Sequence, residues 1–250
     1  SQVNCIFKDS RGAVWIGTAY CLNRYDGYRV KTYYSNRLDS TTMRDNYVET
    51  IYEGHDGKLW IKHGMNYSVF DPVTERFQRN IQDELVKFGI PRKGIDRIYI
   101  DKDKNYWAKL YDEGVFYYNP KSKKLTRFRY GYDFDKNEIP THFLVSSFAT
   151  LEGKVIMSGN NGDLICLNGE TGRIEWQDDW LPKHGGQENR DYDIYIDALD
   201  NLWVISEPDC FVYIQKEKVW YNSAREYLHS RGIDNLPEDL QVFDLLVDKN

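Results

Sequence analysis

Clustered acidic residues are the first candidates for chemistry in this chain. Asp101, Asp103 and Asn105, with Asp112 beyond, have part of the spacing of a calcium loop, in which side-chain oxygens surround a divalent cation. The sixth position of such a loop takes glycine and here holds Tyr106, so no calcium site is expected. The five histidines (His55, His63, His142, His184, His229) stand singly, without a second ligand at metal-binding spacing. Four cysteines (Cys5, Cys21, Cys166, Cys210) form no CxxC pair, which argues against zinc and thioredoxin-like redox chemistry. Cys21 and Cys210 read as buried free thiols. No Gly-x-Ser-x-Gly, phosphate-loop or dinucleotide motif occurs. The expectation is a chain with no catalytic residue, no metal and no cofactor.

Residues suited to recognition are easier to find. Lys62, His63, Asn66, Tyr67, Lys109, Tyr111, Asn160 and Asn161 fall in short polar connections, as do Tyr20, Glu207 and Asp209. Aromatic faces, amides and lysines together suit a sugar, an acidic one included. Net charge is −6, so no general basic field is present to attract a phosphate backbone, and nucleic acid is not expected as a partner.

What must hold these residues is a repeat. Trp15, Trp60, Trp107 and Trp203, with Ile156 in the fourth place, recur at spacings of 45, 47, 49 and 47 residues. Each copy has an apolar strand, an acidic turn such as Asp9-Ser10-Arg11-Gly12, the Trp strand, an alternating third strand, and a fourth ending in Tyr33, Phe77, Phe128, Trp176 or Trp220. Asp, Asn and Gly supply the local bonding and positive φ of tight hairpins. Twenty Tyr, 11 Phe and 7 Trp favour pleated, half-buried surfaces. Four strands per period predict an all-β fold, a β-propeller of four-stranded blades. The blades are expected at about 1–33, 48–77, 95–128, 143–176 and 192–220, with the start of a sixth at 240–250. Short helical turns are expected near 83–88 and 224–230. Five and a fraction blades read as part of a larger ring of about seven, cut from something longer at both ends.

Blade one, Asp9-Ser-Arg-Gly12-Ala-Val-Trp15-Ile-Gly-Thr18 followed by Leu22-Asn-Arg-Tyr25-Asp26, resembles the two-component regulator propeller repeat. Blade two, Asp56-Gly57-Lys-Leu59-Trp60-Ile61, resembles it too, while Gly-Thr after Trp-Ile survives only in blade one. The resemblance implies the periplasmic sensor half of a hybrid two-component regulator, the ectodomain of an inner-membrane protein. It further implies an oligosaccharide ligand, a second propeller or other domain in the same chain, a homodimer, and a downstream membrane helix leading to a histidine kinase. The Asp-x-x-Gly-x-x-Trp run is also similar to the Asp-box of sialidases, but an acidic hairpin turn accounts for it without catalysis. A glycan-active propeller enzyme, lyase or hydrolase, and a non-binding dimerisation scaffold are the alternatives. In a propeller the strand two–three loops and the blade connections share one rim. The loops expected there are 18–20, 62–67, 109–113, 158–161 and 206–209.

Overall fold

A computed structural model describes residues 2–131, 136–140, 145–151, 153–184, 187, 190–237 and 240–242. The chain forms two compact units, Ser1–Arg127 and Phe128–Asn250.

The first unit holds three four-stranded antiparallel sheets, each in sequential order. They are β1–β4 (Val3–Lys8, Val14–Thr18, Leu22–Tyr25, Val30–Tyr33), β5–β8 (Thr50–Glu53, Leu59–His63, Asn66–Asp71, Arg76–Gln78) and β9–β12 (Ile95–Ile100, Tyr106–Leu110, Gly114–Asn119, Lys124–Phe128). Helix α1 (Gln82–Lys87) lies between the second and third sheets in sequence. The second unit has a two-stranded ribbon of β13 (Tyr130–Gly131) and β14 (Ile139–Pro140), then two more sheets. These are β15–β18 (Val145–Leu151, Lys154–Gly159, Leu164–Asn168, Arg173–Asp178) and β19–β22 (Asp193–Ile196, Leu202–Ser206, Asp209–Ile214, Val219–Tyr221). Helices α2 (Trp180–Lys183) and α3 (Ala224–Ser230) follow the two sheets. The expected helical turns are therefore α1 and α3; α2 was not foreseen. Residues 243–250 of the anticipated sixth blade lie outside the described residues.

The first hairpin of each sheet is dictated by backbone sterics. Three residues before the Trp position stand Gly12, Gly57, Lys104, Gly153 and Asp200, all with φ between 65° and 91°. A residue there must reverse the chain in the left-handed region, which glycine enters freely and other residues at some cost.

One residue type recurs six places before the tryptophan, and its role is visible only in three dimensions. Asp9 accepts from Arg11 N (3.0 Å) and Ala13 N (2.9 Å) through one oxygen, and from Trp15 Nε1 (2.9 Å) through the other. Asp101 and Asp197 do the same for Trp107 Nε1 (3.3 Å) and Trp203 Nε1 (3.0 Å). One carboxylate thus closes the turn and satisfies an indole N–H that packing removes from water. Blade two has Gly54 at that place. A Cβ there would stand 2.4 Å from the Tyr106 hydroxyl and 3.2 Å from Trp60 Nε1, so a tyrosine from blade three occupies the space the carboxylate fills elsewhere.

Within the first unit, Trp15, Leu22 and Tyr33 of one sheet pack on Ile51, Leu59, Ile61 and Phe70 of the next. Trp60, Tyr67 and Val69 then pack on Ile98, Tyr106, Ala108 and Phe116, with Ile81 and Leu85 of the α1 segment in the same cluster. Glu53 ties the three sheets at their Asp-turn ends: it accepts from Ser10 N (3.0 Å) and Oγ (2.6 Å), and from Lys104 Nζ (2.7 Å). The other face of blade one differs. Ile6 is 68% exposed, whereas its counterpart Ile51 is 4% exposed; Tyr25 and Val30 are exposed where Phe70 and Phe77 are buried. In the second unit, Ile156, Leu164 and Cys166 pack with Leu202, Val204 and Phe211, and the Trp203 face lies under Ala224 and Tyr227 of α3.

All four cysteines are free. Cys210 is buried as expected, but Cys21 is only half-buried, because it lies in the turn beyond β2 rather than inside a strand.

Candidate functional site

Each strand two–three turn lies at the end of its sheet opposite the Asp-capped turn. These turns are shorter than the sequence implied in blade two, where β6 runs through His63 and β7 begins at Asn66, leaving only Gly64 and Met65. Lys62, His63, Asn66 and Tyr67 are thus strand residues. Lys62 pairs with Glu49, and Lys109 in blade three with Asp96. These are equivalent pairs at equivalent places, and Lys109 is buried.

His63 is buried; its Nδ1 donates to Tyr47 O (2.8 Å), and its Nε2 has no partner. Burial pushes its pKa down, against the pull of Asp45. Tyr67 is buried as well. Its hydroxyl accepts from Ile98 N (2.9 Å) and meets Ile98 O at 3.4 Å, and burial raises its pKa to about 12. This hydroxyl is a tie between neighbouring blades, so the tyrosine is not a free surface ring.

Asn66 and Tyr111 are exposed. Tyr111 N donates to Gly94 O (3.0 Å), and a Cβ on Gly94 would meet the Tyr111 ring at 2.9 Å, so the glycine is what lets the ring lie there. In the second unit, Asn161 forms a turn with Asp163: its Nδ2 donates to Asp163 Oδ2 (2.8 Å), and Asp163 N donates to its Oδ1 (3.1 Å). Asn160 O accepts from Arg190 N (3.1 Å). The structure therefore gathers Asn66 and Tyr67 into one place and leaves Asn160 and Asn161 in another unit. The Asp101 carboxylate of the partial calcium spacing is taken up by Asp103 N, Asn105 N, Asn105 Nδ2 and Trp107 Nε1.

Sequence reasoning missed what surrounds Asn66. A cleft of about 330 Å³ is lined by Arg44, Met65, Asn66, Tyr67, Arg79, Asn80, Ile81, Gln82 and Ile95. It joins the loop that follows blade one, the tip of blade two and the start of α1. Arg44 and Arg79 carried no signal in the repeat, because both lie in the irregular segments between blades. Exposed apolar side chains stand at successive tips of the first unit: Tyr20 (67% exposed), Met65 (70%) and Tyr111 (45%). Tyr47, in the loop before blade two, is exposed too.

Sequential four-stranded sheets that pack on one another within each unit are blades of a β-propeller. Comparison with solved structures gives the same fold. The extracellular domain of BT3049 from B. thetaiotaomicron, described as a hybrid two-component system, aligns with a TM-score of 0.60 at 20% identity, over 88% of this chain and 30% of its own. The extracellular domain of BT4673 from the same organism aligns at 0.50 and 16% identity, over 90% and 37%. PorZ of Porphyromonas gingivalis, described as an essential surface component of the type-IX secretion system, aligns at 0.50 and 13%, over 87% and 33%. At these identities the likeness is one of fold, and this chain spans about a third of each. Residues 1–20, the first hairpin, match the family described as two component regulator propeller. No curated protein matches it. Among the described residues, no helix is long and apolar enough to cross a membrane.

Proposed function

We propose that this chain is part of an extracytoplasmic ligand-sensing domain that recognises glycan-derived oligosaccharides and passes the event to a kinase without transforming the ligand. The observation that carries the reading is the row of exposed rings and amides at the strand two–three tips. Trp15, Trp60 and Trp107 of the repeat are buried, whereas Tyr20 and Tyr111 at the tips face solvent, as does Tyr47 in the loop before blade two. An exposed flat ring beside amides is the surface a pyranose uses, with its apolar face stacked and its hydroxyls bonded. The match to the regulator propeller repeat and the likeness in fold to extracellular domains of proteins described as hybrid two-component systems support the same reading. In this reading the protein is periplasmic, a second propeller or another domain completes the sensor, and a homodimer relays the signal through a downstream membrane helix.

The test is calorimetric titration of the protein with a panel of glycan oligosaccharides, with product analysis alongside. Tyr20→Ala and Tyr111→Ala should weaken binding about tenfold each, because losing a stacked ring costs on the order of 1 kcal/mol or more. Folding should change by less than about 0.5 kcal/mol at such exposed sites. Release of shortened sugars would move the protein to the glycan-active enzymes. Binding indifferent to both substitutions would remove the tips from the site.

A further inference from the structure

The cleft beside Met65–Tyr67 is lined by two arginines and no carboxylate. Cationic side chains around it are paired with carboxylates: Lys62 with Glu49, Lys109 with Asp96, Arg92 with Asp83 (2.5 Å) and Lys93 with Glu113 (3.4 Å). The two guanidiniums in the cleft wall are different. The hydrogen bonds of Arg79 go to neutral acceptors. Its Nη2 donates to Asn36 O (2.7 Å), Asp39 O (2.8 Å) and Thr42 Oγ1 (2.8 Å), and its Nε to Thr42 O (2.9 Å). Those bonds fix the guanidinium in position; the Asp39 carboxylate lies within electrostatic reach of it but makes no salt bridge with it. Arg44 is exposed, and among the described residues neither its guanidinium nor the Asn66 carboxamide has a partner. In a chain of net charge −6, a cleft whose wall holds two guanidiniums and no carboxylate is a local reversal of sign. Ile81, Ile95 and Met65 supply its apolar wall.

We infer that this cleft binds the anionic group of an acidic sugar, a uronate carboxylate or a sulfate ester. A planar guanidinium meets either group with two parallel hydrogen bonds, which neutral sugars cannot reciprocate with charge. Arg79 provides a fixed positive charge, Arg44 closes on the anion from the loop, and Asn66 bonds a neighbouring hydroxyl. A volume of about 330 Å³ holds one sugar ring, so the rest of an oligosaccharide extends towards the exposed tips. The inference rests on the saccharide-sensing reading and narrows its ligand to acidic members.

The experiment is titration of the protein with three probes: digalacturonate, a sulfated N-acetylgalactosamine-containing disaccharide, and neutral cellobiose. Arg44→Ala, Arg44→Lys and Asn66→Ala are compared with the parent, while Arg79 is left intact because it holds the 36–42 loop. Arg44→Ala should weaken binding of an acidic probe at least about tenfold, with partial recovery in Arg44→Lys, and binding should weaken as salt rises. Any cellobiose binding should be unchanged, and thermal unfolding should match the parent. Which of the two acidic probes binds tells carboxylate from sulfate. Equal affinity for acidic and neutral probes, or acidic binding untouched by Arg44→Ala, overturns the inference and leaves sugar sensing standing. Binding of none of the three probes overturns both.

Discussion

Replacing Asp9 by Ala tests the physical account of the repeat directly. The Asp9 carboxylate is buried and accepts three hydrogen bonds, two from the turn backbone and one from Trp15, whose side chain is fully buried. Arg11 N and Ala13 N lie at a turn that water can reach, so losing their acceptor costs little. Trp15 Nε1 cannot turn to water, and a buried donor left without an acceptor costs about 1–3 kcal/mol. Asp9→Ala should therefore destabilise by about 1–3 kcal/mol. Asp9→Asn should recover little, because an amide in that position can satisfy the turn or the indole but brings its own N–H against one of them. The measurement is urea unfolding of parent, Asp9→Ala, Trp15→Phe and the double variant. In the Trp15→Phe background Asp9→Ala should cost at least about 1 kcal/mol less, since the indole donor is gone. A cost below about 0.5 kcal/mol for Asp9→Ala, or full additivity in the cycle, would refute the reasoning.

Gly54→Asp, which restores the residue found in blades one, three and five, should destabilise, because its Cβ would meet the Tyr106 hydroxyl; with Tyr106→Phe the same change should be tolerated, as melting temperatures of the two variants would show. Tyr67→Phe should cost about 1–3 kcal/mol by orphaning Ile98 N, a loss seen as faster amide exchange at Ile98. His63 is held below the usual histidine pKa by burial, so the unfolded chain binds its proton more readily than the native one. Stability from this residue should be fully present above about pH 6.5 and fall as pH drops through the lowered native pKa; His63→Gln should flatten that part of the profile in pH-dependent unfolding.

The repeat was legible in the chain because its determinants are local. A residue with positive φ three places before the Trp position, and Asp or Asn at the hairpins, act within one turn of backbone. The regular spacing of Trp15, Trp60, Trp107 and Trp203 therefore located the second strand of each sheet before any contact was known. The helical turns at α1 and α3 followed from the same kind of reading.

The functional surface was not local, and it was read less well. Lys62, His63, Tyr67 and Lys109 look like loop residues in sequence, because polar and ring side chains fill the strand ends. Their burial depends on Glu49, Tyr47, Ile98 and Asp96, partners that only blade-on-blade packing and cross-strand register supply. The Tyr106 hydroxyl that stands in for a carboxylate at Gly54 comes from a residue 52 places away, so no pattern within a single repeat reveals it. Arg44 and Arg79 lie outside the periodic segments, and their meeting in one cleft is decided by where two irregular loops land. Hydrogen bonding and sterics along the chain determine the blade; which charges find a counter-charge, and which are left to face a ligand, is decided by distances that exist only after the sheets have packed.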